Sequence, residues 1–358
     1  MKLVIFNEFN ENLERDWMSL EDTIEPFAQS RLGWVKAWCS TKKINNLRIA
    51  AVYHPDGRIV ATVPFWLTTM FGLKTIRSIP VHFGDFLAFV CKESDLSLVM
   101  PILFDYLQSY QSWSLIKVDN VCTGLPIAQY FFESTLTPHE VTKVHIVDFW
   151  SAVDGSNDFD GYLKTLSRNR RYKTIRSFKQ LQAIGDVKLE VIKSYTSYLH
   201  YFEDMKTIYV KRWGVDLDNI VYEYRNSALE AIFQKGIVRL YILHVDRKTV
   251  AYHLGFEYEE YFYSWKEGAD EAFAGQSLGN LMRVYLMPQD LISNSFKGIN
   301  LMAGDYQYKK NRSVERGSVQ GLLSFYGSKG IFAHFVKAYL VDFRDAIKAL
   351  YHKCKKWL

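Results

Sequence analysis

Two stretches of this chain read as strand, polar turn, strand. The first runs through Leu47-Arg48-Ile49-Ala50-Ala51-Val52-Tyr53, turns at Pro55-Asp56-Gly57 and returns through Ile59-Val60-Ala61-Thr62-Val63-Pro64-Phe65. The second runs from Val238 through Val245, turns at Asp246-Arg247-Lys248 and returns through Val250-Ala251 to Phe256. Each copy has an early Arg, turn chemistry suited to a hairpin, then Val-Ala and a Phe. A helical stretch follows each hairpin (94–109 and 277–293), and then a short apolar strand (114–118 and 298–303). Repetition of hairpin, helix, strand predicts a duplicated α/β layer unit. A further strand over 261–267 extends the second hairpin to a meander, 195–213 predicts a helix ahead of it, and Trp34 and Trp38 mark helices before the first hairpin.

Asp154-Gly155-Ser156-Asn157-Asp158 interrupts the apolar pattern, which predicts lobes over 1–150 and 151–330. From 331 to 358, Phe332, Phe335, Val336, Tyr339, Leu340, Phe343, Ile347, Leu350 and Tyr351 recur at steps of three and four, as in an amphipathic helix. Such a helix packs on the body of the protein; the alternative is a membrane or partner contact through Lys353, Lys355, Lys356 and Trp357.

Length and composition agree with two folded lobes: 358 residues, 48% hydrophobic and 23% charged. A net charge of +5 is too small to imply a nucleic-acid coat. Cys39, Cys91, Cys122 and Cys354 lack CxxC spacing and read as reduced thiols of a cytoplasmic protein. The N-terminus meets Asn7 and Glu8 before it builds a signal-peptide core, and no apolar stretch reaches the roughly 20 residues of a membrane span. Nine scattered histidines give no metal motif, and neither a GxSxG elbow nor a Walker loop occurs.

The candidate chemistry lies in the second lobe. Ala272-Phe273-Ala274-Gly275-Gln276-Ser277-Leu278-Gly279-Asn280 is a loop of small residues opening a helix, where bare main-chain N–H groups and the helix dipole hold a phosphate. Gly275 and Gly279 let the backbone approach such an anion closely. Downstream, Gly304-Asp305-Tyr306-Gln307-Tyr308-Lys309 gathers a carboxylate, phenols and a cation after a strand. Asp305 suits removal of a proton from an amine, and Tyr308 or Lys309 suits stabilisation of an oxyanion. Seven basic residues from Lys164 to Lys179, including Arg170 and Arg171, read as a solvated helix face, as a site for a phosphate-bearing ligand or acidic glycan, or as a nucleic-acid contact.

On the two Val-Ala hairpins, the segment Leu166-Ser167-Arg168-Asn169-Arg170-Arg171-Tyr172, Ser277-Leu278-Gly279 and Gly304–Lys309, the chain resembles the GNAT superfamily. It looks most like the tandem acyltransferases related to CelD cellulose-biosynthesis proteins, and more distantly like FemAB-type aminoacyl transferases. The resemblance implies an α/β fold of two GNAT-like lobes, each a mixed sheet flanked by helices. It also implies acyl-CoA, acetyl or longer, as co-substrate without a metal. The donor contacts would be Gln276, Ser277, Leu278, Gly279, Trp265, Arg170 and Arg171, and the reactive residues Asp305, Tyr308 and Lys309. The acceptor would be an amine of a small molecule or a glycan, a cell-envelope or polysaccharide precursor; nucleic acid is not expected, and the oligomeric state stays open. The first lobe, with no small-residue loop before its helix, is expected to bind no donor. Gln276-Ser277-Leu278-Gly279 runs into Asn280-Leu281 where the family has a further Gly or Ala. The alternatives are an aminoacyl transferase using aminoacyl-tRNA and a non-catalytic scaffold for anions or nucleic acid.

Overall fold

The computed structural model describes residues 1–70, 72–79, 85–108, 113–133, 140–150, 158–214, 219–304, 309, 314–337 and 339. The elements in chain order begin with β1 (Lys2–Phe6), α1 (Glu11–Ile24), α2 (Leu32–Thr41), β2 (Leu47–Tyr53), β3 (Ile59–Met70), β4 (Leu73–Ser78) and β5 (Val90–Cys91). Next come α3 (Leu96–Leu107), β6 (Leu115–Cys122), α4 (Pro126–Glu133), β7 (Glu140–Trp150), α5 (Phe159–Thr165), α6 (Arg168–Gln182) and β8 (Val187–Ile192). The remainder is α7 (Tyr195–Trp213), α8 (Asn219–Phe233), β9 (Val238–Val245), β10 (Lys248–Tyr258), β11 (Tyr261–Ala269), α9 (Leu278–Leu281), α10 (Met287–Ser293), β12 (Gly298–Ala303) and β13 (Val314–Phe325), with a last helix over 327–337.

The chain forms two compact units. Met1–Glu25, Ile44–Val144 and the chain from Val319 make the first; Pro26–Lys43 and His145–Ser318 make the second. The division is not a single cut near 150, because α2 joins the second unit and the end of β13 joins the first.

In the first unit the strand order is β1-β2-β3-β4-β6-β13, with the short β5 on β3. Every neighbouring pair is antiparallel except β4 and β6, which are joined in parallel through α3. Its core joins Ala50, Val63, Phe65 and Ile76 on the sheet to Met100, Leu103 and Leu107 of α3. On the sheet's flank, α1 is capped by Asn10, whose side chain accepts the Leu13 N–H at 2.9 Å, and buries Leu13, Trp17 and Leu20.

The second unit runs β8-β9-β10-β11-β12-β7, again antiparallel except for β11 and β12. Position for position this is the order of the first unit, so the duplicated hairpin, helix, strand pattern is realised in three dimensions. One face of the sheet packs on α6, α9 and α10 through Tyr241, Leu243, Val250, Phe262, Leu278, Leu281 and Met287. The other face meets α2, α7 and α8. There Gly33 of α2 lies so close to α8 that a Cβ would sit 2.4 Å from that of Ala231. Among the described residues no helix is long and apolar enough to cross a membrane.

Candidate functional site

The sheet of the second unit comes apart at its middle. Strands β11 and β12 pair only at Tyr261↔Gly298, Phe262↔Ile299 and Tyr263↔Asn300. Beyond Tyr263, β11 continues to Ala269 paired with β10, while β12 turns towards β7, where Ala303 faces Val147. Met302 adopts a left-handed conformation at the bend, with φ of 60°. Its N–H is donated to Asn300 Oδ1 at 2.8 Å and its carbonyl accepts from Lys309 Nζ at 3.0 Å. The polar groups of the bend are therefore satisfied without closing the split. Opposite this point β11 carries a bulge, since Leu254 faces Lys266 and Gly255 faces Ser264, leaving Trp265 without a cross-strand partner. Only glycine fits at 255, where a Cβ would lie 2.1 Å from the Tyr263 carbonyl.

Beyond β11 the chain makes a 3-10 turn over Glu271–Gln276, started by Asp270, whose carboxylate accepts the Ala272 N–H at 3.1 Å and pairs with Lys248 at 2.9 Å. Ser277 then takes a left-handed conformation, φ 51°, and its side chain caps nothing. The Ser277 N–H goes to Ala274 O, and the Asn280 and Leu281 N–H groups go to Ser277 O, at 3.1, 2.9 and 3.0 Å. The first-turn amides of Leu278 and Gly279 have no main-chain acceptor among these bonds. Leu278, 2% exposed, anchors the turn in the core. The helix continues through a π turn, Met282–Leu286, into α10.

Neither glycine of this loop is demanded by the protein itself. A Cβ at Gly275 would meet nothing within 4 Å, and one at Gly279 would make ordinary contact, 3.6 Å from an Arg283 nitrogen. Helix α6 packs on the turn and on α9, bringing the Arg170 guanidinium into the field of Arg283. Burial, and after it the Arg283 charge, disfavours the Arg170 cation. Arg171 of the same helix donates to the Leu163 carbonyl at 3.2 Å. Of the candidate residues, Gln276, Ser277, Leu278, Gly279 and Arg170 thus come together on one side of the sheet. Trp265 lies apart from that loop, its ring 5.1 Å from Trp34 and 5.5 Å from Phe256 among the α2 and α8 side chains. Lys309 is 1% exposed at the bend of β12; Asp305 and Tyr308 fall outside the described residues.

Four polar residues not singled out from the sequence line the same face as the loop. His253, fully buried, hydrogen bonds through Nε2 to Ser264 Oγ and lies 3.5 Å from Glu267 Oε2. Arg283 pairs with the same Glu267 carboxylate. Burial pushes the His253 pKa down to about 4, against the pull of Glu267, so the imidazole is neutral at pH 7. Burial also draws the Glu267 carboxyl upward, but the charge and hydrogen bond of Arg283 outweigh it and hold the group below its ordinary range. A second buried cluster, in which Arg239 pairs with Glu257 at 2.6 Å and with Asp290 while Tyr241 donates to Asp290 at 2.7 Å, fastens α10 to the sheet. The available sequence signal was a polar residue inside each apolar strand, which by itself does not tell a ligand contact from a core pair.

On the opposite face, Tyr198, Phe202, Tyr209, Tyr222 and Tyr252 line a narrow cleft with Lys206, Arg225 and Lys266. Lys206 and Arg225 lie over the Tyr222 ring at 4.9 and 5.5 Å, and Lys266 over Trp265 at 5.2 Å. Among the described residues no group of side chains is arranged to hold a metal.

Residues 168–310 match the sequence profile of a family described as an acetyltransferase (GNAT) domain. No curated protein matches the chain. Solved structures do. FemX aligns at TM-score 0.55 and 12% identity over 89% of this chain and 97% of its own. L-PGS from Bacillus licheniformis aligns at 0.55 and 11%, over 91% and 95%. A conserved protein of unknown function from Bacteroides thetaiotaomicron aligns at 0.53 and 13%, over 91% and 100%. At such identities the likeness is one of fold: two mixed sheets flanked by helices, with the GNAT match falling on the unit that carries the split strands and the open helix turn.

Proposed function

We propose that the chain is an N-acyltransferase that moves an acyl group from acyl-CoA to an amine. The observation that carries this reading is the parting of β11 from β12 beside a helix turn whose Leu278 and Gly279 amides have no main-chain acceptor among the described residues. The donor diphosphate would sit on those amides, with Gln276 and Ser277 at its edge, Arg170 and Arg283 supplying charge and Arg171 beyond them. Its pantetheine arm would enter the split, reaching the bulge at Trp265.

In the reaction the amine nitrogen attacks the thioester carbonyl, the C–S bond breaks and CoA leaves as its thiolate, which takes up a proton from solvent. Asp305 would take the proton that the amine gives up, and Tyr308 and Lys309 would stabilise the transient oxyanion. The bond from Lys309 to Met302 O supports this role, because the ammonium lies at the bend beside the split. The acceptor in this reading is an amine of a small molecule or of a glycan precursor. Kinship with CelD-like proteins and a cytoplasmic setting belong to the same reading. Cys39, Cys91 and Cys122 are free, and burial raises the Cys39 and Cys91 thiols to about 12, far from reactive.

The second reading, aminoacyl transfer from tRNA, draws on the fold shared with FemX. The described elements from β9 to β12 comprise strands and a single helical stretch, without the helical hairpin that FemAB-type enzymes often insert, yet FemX aligns over 97% of its own length, so CoA uptake is what separates the two readings.

Calorimetric titration with CoA tests the proposal. One site per chain is expected, and Gly279→Asp should weaken it at least 100-fold, about 2.7 kcal/mol. The new carboxylate repels a diphosphate yet favours the helix N-terminus, so melting should hardly change. If wild-type protein takes up no CoA, or the variant binds it equally well, the donor assignment fails.

A further inference from the structure

The last helix of the first unit is mounted with its apolar side outward. It sits on the unit through Gly330, where a Cβ would lie 2.5 Å from the Ser114 carbonyl, and through Ala333 against the cluster of Leu73, Leu115, Leu323 and Phe325. One turn on, the His334 ring lies 5.0 Å from that of Phe325, and Lys337 pairs with Glu140. These positions, spaced by three and four, form one side of a helix. The other side carries Ile331, Phe332, Phe335, Val336 and Tyr339, which are 49, 69, 66, 41 and 71% exposed. An ordinary surface helix buries such a stripe and turns its small and charged residues to water; here the arrangement is reversed.

Charge identifies what covers the stripe. Residues 329–358 hold seven Lys and Arg against two Asp and Glu, a surplus equal to the +5 of the whole chain, so residues 1–328 are neutral in sum. Two copies of the chain meeting on this stripe would bring the two positive segments together and repel. An anionic lipid surface instead accepts the rings among its acyl chains, and its charge is complementary to the basic sequence of residues 329–358. We infer that this helix is an interfacial anchor by which the protein lies on an anionic membrane surface. The inference stands apart from the acyl-transfer reading, since it involves no donor-site residue.

Co-sedimentation of the full chain with vesicles decides it. Phosphatidylcholine vesicles containing about one-third phosphatidylserine should bind the protein at least about tenfold more tightly than phosphatidylcholine alone, and raised salt should weaken the association. The double variant Phe332→Ser, Phe335→Ser should lose roughly tenfold or more in binding with unchanged melting, because both rings stand in solvent. Failure to bind the anionic vesicles, or equal binding by the double variant, overturns the proposal. So does light scattering that shows a wild-type dimer which the double variant dissolves, since the stripe would then be a protein interface.

Discussion

The two units share one topology but differ at its most consequential seam. Strands β4 and β6 of the first pair in parallel at Thr75–Arg77, as β11 and β12 of the second do at Tyr261–Tyr263. Beyond those pairs the first unit stays laced: Ser78 Oγ accepts the Asp119 N–H at 2.8 Å, Arg77 pairs with Asp119 at 2.7 Å, and Leu87 donates to Asn120 O at 2.8 Å. Phe86, Leu87 and Ala88 are buried there, so the chain itself fills the gap. In the second unit the bend at Met302 is satisfied by Asn300 and Lys309, and the ladder between β11 and β12 ends at Tyr263 and Asn300. A duplicated fold therefore does not duplicate a site: that depends on what occupies the seam, which supports the reading that only the second unit takes a donor.

The comparison can be broken most forcefully at the charged pair. Arg283→Ala leaves the Glu267 carboxylate in its enclosed position without its principal partner, and should cost about 3–5 kcal/mol in denaturant unfolding. Ser78→Ala, which removes one lacing bond of the first unit, should cost about 1 kcal/mol and leave CoA uptake unchanged. Equal costs would show that the two seams are held in the same way.

Acid sharpens the contrast next. The His253 pKa of about 4 in the fold lies below its ordinary 6.5, so the unfolded chain takes up the proton first as pH falls. The associated stability is complete above pH 6.5 and is lost progressively down to about 4, on the order of 3 kcal/mol. Urea titrations of His253→Asn should be flatter than wild type across that window. Coincident slopes would remove His253 as the acid-sensitive group of the second unit.

The smallest effect has the opposite sign. Gly279→Ala should stabilise the second unit by about 0.5–1 kcal/mol, since the site is helical and has room for a methyl, while weakening CoA. A variant that is both more stable and a better binder would mean that the glycine does not serve the ligand.

Much of this was legible in the sequence. The helix over Tyr195–Trp213 and the strand Gly298–Ala303 fall at their expected bounds, and both hairpins appear where strand patterns flank a polar turn. Local periodicity and turn chemistry suffice for such elements because each is stabilised largely by near neighbours. The helix over 327–337 was legible too, but not its orientation: it was expected to pack by its apolar side, whereas Gly330 and Ala333 approach the sheet and Phe332 and Phe335 do not. Close approach of backbone to backbone decided that, and no helical wheel contains it. The cluster of His253, Ser264, Glu267 and Arg283 was likewise hidden, its members lying on three elements of which none is unusual alone.

By itself, then, the amino-acid order determined the duplicated alternation of strands and helices, the small-residue loop at 272–280 and the accumulation of positive charge in the last thirty residues. Only the tertiary structure decided that one seam is plugged and the other parted, and which chain segments complete each sheet. Periodicity is a property of neighbours along the chain, whereas strand parting, burial of a charge and the direction of an exposed face depend on residues far apart in sequence meeting at a few ångströms.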